Sequence, residues 1–576
     1  MSTTFHFSPR PNRAGDIAWH TWDLATFQKA QESDKPIVLA ISAVWCHWCH
    51  VMDETTYSND DVIQYLNAHF IPVRVDNDQR PDINARYNMG GWPTTAVLTP
   101  EGATLTGATY LPPDQMLRML QQIQTFYREN KATVAERVAQ MKAQPAQKEP
   151  AAAADLRPSM IARILEELSD AYDPLHGGFG TQPKFPQTDA LEFLMLEYRV
   201  TREERLYEMV AKTMLGMSRG GMYDHVEGGF FRYSTTQDWS VPHFEKMTED
   251  HAGLLRLLAT LSIVAKNPEF RMTLQSATSY VMATLRDPQT GLFAGSQDAD
   301  EAYFELPLQE RRKITAPYVD RTSYTNWTAA LAASLFLAAS VLADEQTAAR
   351  ATQALDSLYE RMLDDDGLLY HFLPPGGTPQ VRGLLTDQAA YLRAALDAHE
   401  YTGEDRFLER ASALAAAMQN VLAAPDAGFY DHAGLHGELG NLTFKDRPLA
   451  DNSLVADSFL RLAALSGEER YRSQAEAILA IYSKTYGKAG SFASSFVRAV
   501  RRFLNEPSTL TIVGVVAQTQ DFREAAKRLP DPLLCVRTID PQHDERAPGA
   551  YLCRGTVCAA PALRAADLAS AYASIT

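Results

Sequence analysis

Apolar residues follow two rhythms along this chain, and the change of rhythm divides it. Pro36-Ile37-Val38-Leu39-Ala40-Ile41-Ser42 is an unbroken apolar run rich in β-branched residues, which reads as a strand buried on both faces. Phe70 to Asp76 and Thr94 to Leu98 read as two further strands. Between them, Leu24, Phe27 and Ala30 recur at helical spacing, and Asn59-Asp60-Asp61 caps a second helix through Val62, Ile63, Tyr65 and Leu66. Strand alternating with helix predicts an α/β domain over residues 1–142. Residues 143–155 are dense in Pro and Ala and read as a semi-stiff linker. Beyond them strand signals fade, and long amphipathic helices take over, among them Met160 to Tyr172, Ala252 to Ala265 and Ala329 to Leu342.

A short turn motif recurs through the helical part: Gly178-Phe179, Gly229-Phe230, Gly291-Leu292-Phe293, Gly367-Leu368-Leu369, Gly428-Phe429 and Gly490-Ser491-Phe492. Successive glycines lie 51, 62, 76, 61 and 62 residues apart, room in each case for two helices and two loops. Six helical hairpins over residues 156–505 predict an all-α (α/α)6 barrel, with an open solenoid as the alternative. Residues 506–576 return to strand, helix and strand, a small α/β appendage. The fold class expected is therefore multidomain: an α/β domain, the barrel and the appendage.

The first strand leads straight into Trp45-Cys46-His47-Trp48-Cys49-His50. Cys-x-x-Cys after a strand sets the leading sulfur at the start of a helix, where the helix dipole and unpaired backbone N–H groups favour thiolate over thiol. A second thiol within reach makes this a disulfide-exchange unit. The same residues match a covalent haem motif, and Cys46, Cys49, His47 and His50 include zinc-ligand types. Haem attachment of this form belongs to exported chains, and a closed zinc site wants a second ligand pair, so no cofactor or metal is expected. Gly90-Gly91-Trp92-Pro93 opens the third strand on a proline, a candidate cis peptide beside the thiols.

In the helical part, polar and aromatic residues gather at the turns. Tyr223, Asp224, His225, Arg232 and Tyr233 lead into Trp239, His243 and Glu245, with Asp250-His251 following. Asp298 and Asp300, then Thr386-Asp387-Gln388, then Asp451-Asn452-Ser453 come later. Carboxylates and imidazoles beside aromatic rings suit proton transfer and sugar stacking. His243, Glu245, Asp298 and Asp300 are the candidate acids and bases, and Tyr223, Asp224, His225, Arg232, Tyr233, Trp239 and Asp387 the candidate substrate contacts. Asp, Asn and Gly also cap helices, and part of this set is expected to do only that.

Charge narrows the partners. Fifty-four basic residues against 71 acidic ones leave a net charge of -17, which disfavours a nucleic-acid or anionic-membrane surface. No apolar run reaches the ~20 residues that cross a bilayer, and residues 1–19 lack a signal-peptide core. Five cysteines are too few for a disulfide framework, so the cytoplasm is the expected compartment. Expected partners are a protein disulfide or a sugar-like small molecule. Cys553 and Cys558 form a second pair that could close a small disulfide, bind metal or exchange with the first, and Cys535 reads as core.

Lys35-Pro36-Ile37, Cys46 to Met52, Val75-Asp76 with Arg80-Pro81-Asp82, and Gly90 to Pro93 resemble the YyaL-like, spermatogenesis-associated thioredoxin-domain proteins. So do Gly177-Gly178-Phe179-Gly180, Pro183-Lys184-Phe185-Pro186, Val241 to Met247, Asp298-Ala299-Asp300 and Asn452-Ser453 in the second part. The resemblance implies a thioredoxin-like domain followed by a barrel similar to six-hairpin glycosidases and N-acylglucosamine 2-epimerases. This chain departs from that family at Trp45, in a shorter stretch between Tyr87 and Gly90, at Thr325-Asn326-Trp327-Thr328, and at His251 in place of Gln. The function expected from the cysteine pair is a thiol-disulfide oxidoreductase module fused to a carbohydrate-type barrel, with Cys46 attacking and Cys49 resolving the mixed disulfide. The alternatives are a sugar epimerase or hydrolase working in the barrel, or a binding barrel that selects partners for the redox domain.

Overall fold

The computed structural model describes residues 5–143, 155–265, 267–434 and 439–575. Two compact units emerge, Met1–Pro150 with His432–Asp446, and Ala151–Asp431 with Arg447–Thr576. The spacer expected over 143–155 lies, apart from its two end residues, outside the described residues.

In the first unit, β1 (Ile37–Ser42), β2 (Ile71–Asp76), β3 (Thr94–Leu98) and β4 (Thr104–Ala108) form one sheet in the order β2-β1-β3-β4. β2 runs parallel to β1 and β3 antiparallel, the thioredoxin-like arrangement. Helices α1 (Leu24–Ser33), α2 (His47–Glu54), α3 (Asp60–His69), α4 (Pro81–Tyr87), α5 (Pro113–Glu129) and α6 (Lys131–Ala143) complete it. Side chains alternate across the central strand: Ile37, Leu39 and Ile41 face Phe27, Ala30 and Tyr87, whereas Val38 and Ala40 face Val62, Leu66, Met116 and Leu120. Burial on both faces is why β1 is apolar without a break.

Residues 439–446, more than 300 positions away in sequence, complete this core. Leu442 is buried among Trp22, Phe27 and Ile83, and Tyr87 Oη accepts from the Asn441 N–H at 2.6 Å while donating to the Gly102 carbonyl at 2.8 Å. Truncating a buried leucine costs about 2–5 kcal/mol. Leu442→Ala is therefore expected to lower the melting temperature of this unit, read from the exchange protection of β1 amides.

Among the described residues the second unit is built on twelve principal helices: α7 (Pro158–Ala171), α8 (Thr188–Thr201), α9 (Glu204–Arg219), α10 (Thr248–Val264), α11 (Pro268–Tyr280), α14 (Thr325–Leu342), α15 (Glu345–Met362), α16 (Leu385–Thr402), α17 (Asp405–Val421), α18 (Leu449–Ser466), α19 (Glu469–Tyr482) and α20 (Ser494–Leu504). Two short helices, α12 (Glu301–Phe304) and α13 (Leu308–Arg311), lie in the loop before α14. Around the inside, α8 packs on α10, α10 on α14, α14 on α16, α16 on α18, α18 on α20, and α20 back on α8. That last contact closes the ring and excludes the open solenoid. The remaining six principal helices, α7 among them, pack outside, so the unit is an (α/α)6 barrel. α14 has no charged residue and is buried nearly all round, as an inner helix must be.

The tail adds a second sheet, β5 (Ser508–Val513), β6 (Cys535–Ile539), β7 (Gly549–Arg554) and β8 (Val557–Cys558), in the order β6-β5-β7-β8, with α21 (Gln520–Ala526) and α22 (Leu568–Ala573). It covers the C-terminal ends of α16 and α18, where Arg523 donates to the Tyr401 carbonyl at 3.1 Å and Arg537 to the Leu465 carbonyl at 3.0 Å. Cys553 and Cys558 stand directly opposite on β7 and β8 and are joined as a disulfide. Cys535 is buried, and burial pushes its thiol up to about 12.

Candidate functional sites

The thiol pair sits where β1 delivers it. Cys46 is the N-cap of α2, its Sγ accepting from the Cys49 N–H at 3.2 Å, and the two sulfurs are bonded to each other. A sulfur that caps a helix receives the partial positive charge of the helix start, which favours its anionic form once reduced. The Trp92–Pro93 peptide is cis and opens β3, whose Thr94 pairs with Ile41 just before the cysteine loop. Trp45, one of the departures noted above, has a structural role. Its ring meets Trp92 edge-on at 5.7 Å, and its Nε1 donates to Asp78 at 2.6 Å, tying the cysteine loop to the proline loop.

Access is narrow: Cys46 is 5% exposed and Cys49 2%. Trp48, half-exposed, lies 5.2 Å from Tyr110 and stands at the outer edge of this recess. A buried ion pair with no sequence signal of its own supports α2: Asp53 of α2 with Arg74 of β2, bidentate at 2.8 and 2.9 Å. Phe7 covers the guanidinium at 4.7 Å. The pair anchors α2 to the sheet and so holds the thiols in place. His50 is mostly buried, which lowers its pKa to about 4, and its Nε2 has no hydrogen-bond partner among the described residues. Among those residues no group of three or more His, Cys, Asp or Glu side chains is arranged to hold a metal ion.

In the barrel, much of the expected site is scaffolding. Asp173, Asp224, Asp287 and Asp364 each start the same loop. The backbone N–H of each bonds across it, to Gly178, Gly229, Leu292 and Leu368, and each Oδ1 accepts from the N–H two residues on. Gly229 in this turn has φ +82, and a Cβ there would come within 2.5 Å of the Tyr280 ring. Asp224 is thus a loop organiser rather than a substrate contact, and its Oδ2 is taken by Lys246 at 2.7 Å and Arg311 at 2.8 Å. Trp239 is likewise not at a mouth: fully buried, it packs against Gly178 and Lys184 and donates to the His176 carbonyl. Asp300 caps α12 through the Tyr303 N–H, which accounts for its carboxylate. Tyr223 is buried and His225 exposed, the latter meeting the Gly220 carbonyl at 3.2 Å.

A second repeat is built on the fourth residue of the inner helices. His251 of α10, Gln388 of α16 and Asn452 of α18 accept from the backbone N–H of Phe230, Leu369 and Phe429 at 2.9, 2.9 and 2.7 Å, locking each glycine turn to its helix. His251 also donates from Nδ1 to the Met247 carbonyl at 2.6 Å, and burial lowers its pKa to about 4. This His in place of Gln keeps the bond but adds an acid liability. The unfolded histidine takes a proton near pH 6.5 and the folded one only near 4, so stability is lost as pH falls through that window. His251→Gln is expected to remove up to about 3 kcal/mol of that loss, measured as the difference in denaturant midpoint between pH 7 and pH 4. His251→Ala is expected to destabilise at both.

The residue before each lock is a carboxylic acid: Asp250, Asp387 and Asp451, third in α10, α16 and α18. Asp250 has a buried Oδ2 with no hydrogen-bond partner among the described residues, and burial, with Glu249 and Glu245 near, raises its pKa to about 8 against the pull of Arg232. Asp451 is raised to about 7 by burial and then by Asp387, Asp431 and Asp189. Asp387, raised by burial, is held by His371 Nδ1 at 3.0 Å and by the Asn326 N–H at 3.1 Å. Tyr324 packs on both His371 and Trp327.

Beside Asp250 stands a second histidine–carboxylate pair. His243 Nδ1 meets Glu245 at 2.5 Å, and the ring stacks on Tyr233 at 4.8 Å, which stacks on Phe185 at 4.7 Å. Glu245 and Asp298 flank the paired residues Lys246 and Gln297 of one short ladder. His243, Glu245, Tyr233, Arg232 and Asp298 therefore gather near the start of α10, and Asp387 lies near the starts of α16 and α18. His371 carried no sequence signal of its own. Asp250 and Asp451 become conspicuous only when the starts of the inner helices are aligned on their locking residues.

Residues 10–145 match the family model Thioredox_DsbH, described as a protein of unknown function, DUF255. Spermatogenesis-associated protein 20 of Rattus norvegicus is 34% identical over 307 residues, 49% of this chain and 39% of that protein. The match thus spans about two fifths of the length of that relative. Among solved structures, D-mannose isomerase (10% identity, TM-score 0.49) covers 63% of this chain and all of its own, and cellobiose 2-epimerase from Bacillus thermoamylovorans B4167 (15% identity, TM-score 0.47) covers 57% of this chain and 87% of its own. Residues 10–145 are thus similar to the Thioredox_DsbH family, and about half of the chain is similar to spermatogenesis-associated protein 20.

Proposed function

We propose that the chain is a thiol–disulfide oxidoreductase whose working pair is Cys46 and Cys49. The observation that carries this reading is the Cys46 sulfur at the N-cap of α2, within bonding reach of Cys49. In the reduced protein the Cys46 thiolate attacks a substrate disulfide, forming a mixed disulfide and expelling one substrate thiolate. Cys49 then attacks the Cys46 sulfur, releasing the second thiol and leaving the Cys46–Cys49 disulfide. Two electrons pass to the substrate, and an external dithiol restores the pair. The narrow recess favours an extended peptide or a small disulfide over a flat protein face. The cytoplasm, as a reducing compartment, suits that cycle. With dithiothreitol as reductant the full chain is expected to accelerate insulin reduction. Equal rates for wild type and Cys46→Ser would remove the reading.

A second reading is favoured by Asp250, a carboxyl that holds its proton near neutral pH beside the His243–Glu245 pair. An acid and an imidazole base close together are what epimerisation or hydrolysis of a sugar requires, with Tyr233 as a stacking surface. Turnover of aldoses and disaccharides, followed by NMR in deuterated water, is expected to fail in His243→Ala and to survive in Cys46→Ser. Sugar binding without turnover would leave the barrel as a binding module.

A further inference from the structure

Away from the starts of the inner helices, the barrel holds a partly open cavity of about 320 Å³ that runs from the middle of these helices to the appendage. Its two halves differ. Ala333, Phe336 and Leu337 of α14 make one wall apolar, and α20, opposite in the ring, contributes Arg498 and Arg502. Eight basic side chains line the cavity against five acidic ones.

These charges are paired, but unequally. Asp397 bridges Arg256 at 2.6 Å and Arg461 at 2.7 Å, and Glu192 is shared between Arg393 at 3.1 Å and Arg498 at 2.5 Å. Glu400 also takes Arg461, and Asp457 takes Arg502 at 2.7 Å. Asp189 adds a fifth carboxylate, 3.5 Å from Arg498, so these five arginines are balanced and the excess lies with the remaining cations of the lining. Arg523 adds a guanidinium held by hydroxyls and the backbone carbonyls of Tyr401 and Val516. Packing for stability alone would favour balanced charge or none, because an excess buried charge costs several kcal/mol. The paired arginines also keep 8 to 22% of their side-chain surface, and they line the cavity.

We propose that this cavity is a binding site for a phosphorylated small molecule, with its phosphoryl group among the arginines of α16, α18 and α20 and its uncharged body against α14. Guanidinium forks match phosphoryl oxygens two at a time, and the volume suits a ligand no larger than a hexose phosphate. The site is distinct from the acid–base cluster at the inner-helix starts.

Calorimetric titration of the full chain with glucose 6-phosphate, pyrophosphate, inorganic phosphate and glucose tests it. Saturable heat is expected with glucose 6-phosphate and none with glucose. Affinity is expected to fall at least tenfold in Arg393→Gln and in Lys527→Gln, the latter a cavity-edge change that spares the arginine pairs. Stronger binding of pyrophosphate than of the sugar phosphate would overturn the placing of an uncharged body against α14. No saturable heat with any phosphate, or heat unchanged in Lys527→Gln and in every folded arginine variant, would overturn the proposal.

Discussion

Cys49→Ser is expected to turn the redox site from a catalyst into a trap. With the resolving sulfur gone, Cys46 still attacks a substrate disulfide, but nothing breaks the mixed disulfide that forms. Turnover in the insulin assay should fall by about a hundredfold or more, the scale expected when one member of a covalent relay is lost. A Cys46-linked adduct should then accumulate on non-reducing gels. The trap belongs in a Cys553→Ser, Cys558→Ser background, because that pair, with Cys558 exposed, could exchange with the same substrates. Cys46→Ser should give neither turnover nor adduct. An adduct that forms equally well without Cys46 would show that the sulfur capping α2 is not the nucleophile. The recess adds a second expectation: Trp48→Ala, which removes a half-exposed ring at its edge, should change the preference among disulfide substrates more than the rate of the chemical step.

The two units were legible in the sequence for different reasons. The first was read from β1, whose two-sided burial leaves an uninterrupted apolar run, and from a cysteine spacing that suits a helix start. The barrel was read from glycine turns, because each repeat needs a positive-φ residue where its loop meets the helix packed on it. Its chemistry was harder to see for the same reason. Asp224 looks like a site residue because it lies in a polar, aromatic loop, yet that loop recurs at Asp173, Asp287 and Asp364, and recurrence marks scaffold. Trp239 looks like a sugar platform until Gly178 and Lys184 are found against its faces. Conversely, Asp451 stands one residue before the lock that Asn452 makes, and nothing local in the sequence separates the two roles. Leu442 completes the core of the first unit from a position no local pattern connects to it, which only packing could reveal.

Asp250→Asn separates a working acid from a structural one through two readouts that move in opposite directions. If Asp250 donates the proton in sugar turnover, the variant should lose about 10²- to 10⁴-fold in rate. Wild-type activity should fall as pH rises through about 8, where the carboxyl ionises. Stability should respond the other way. Folded Asp250 keeps its proton up to about pH 8, whereas the unfolded chain sheds it near 3.8. Between those values the folded state binds more protons, so wild-type stability falls with pH by up to about 1.4 kcal/mol per unit, and the contribution is gone above pH 8. Asparagine does not titrate, so the variant should gain stability on wild type as pH rises from 4 to 8. A group kept for stability would not behave so, since its replacement would destabilise. A group kept for proton transfer carries this cost because a buried, protonated carboxyl is the reagent, and a variant that is both less stable and still active at pH 8 would exclude that role.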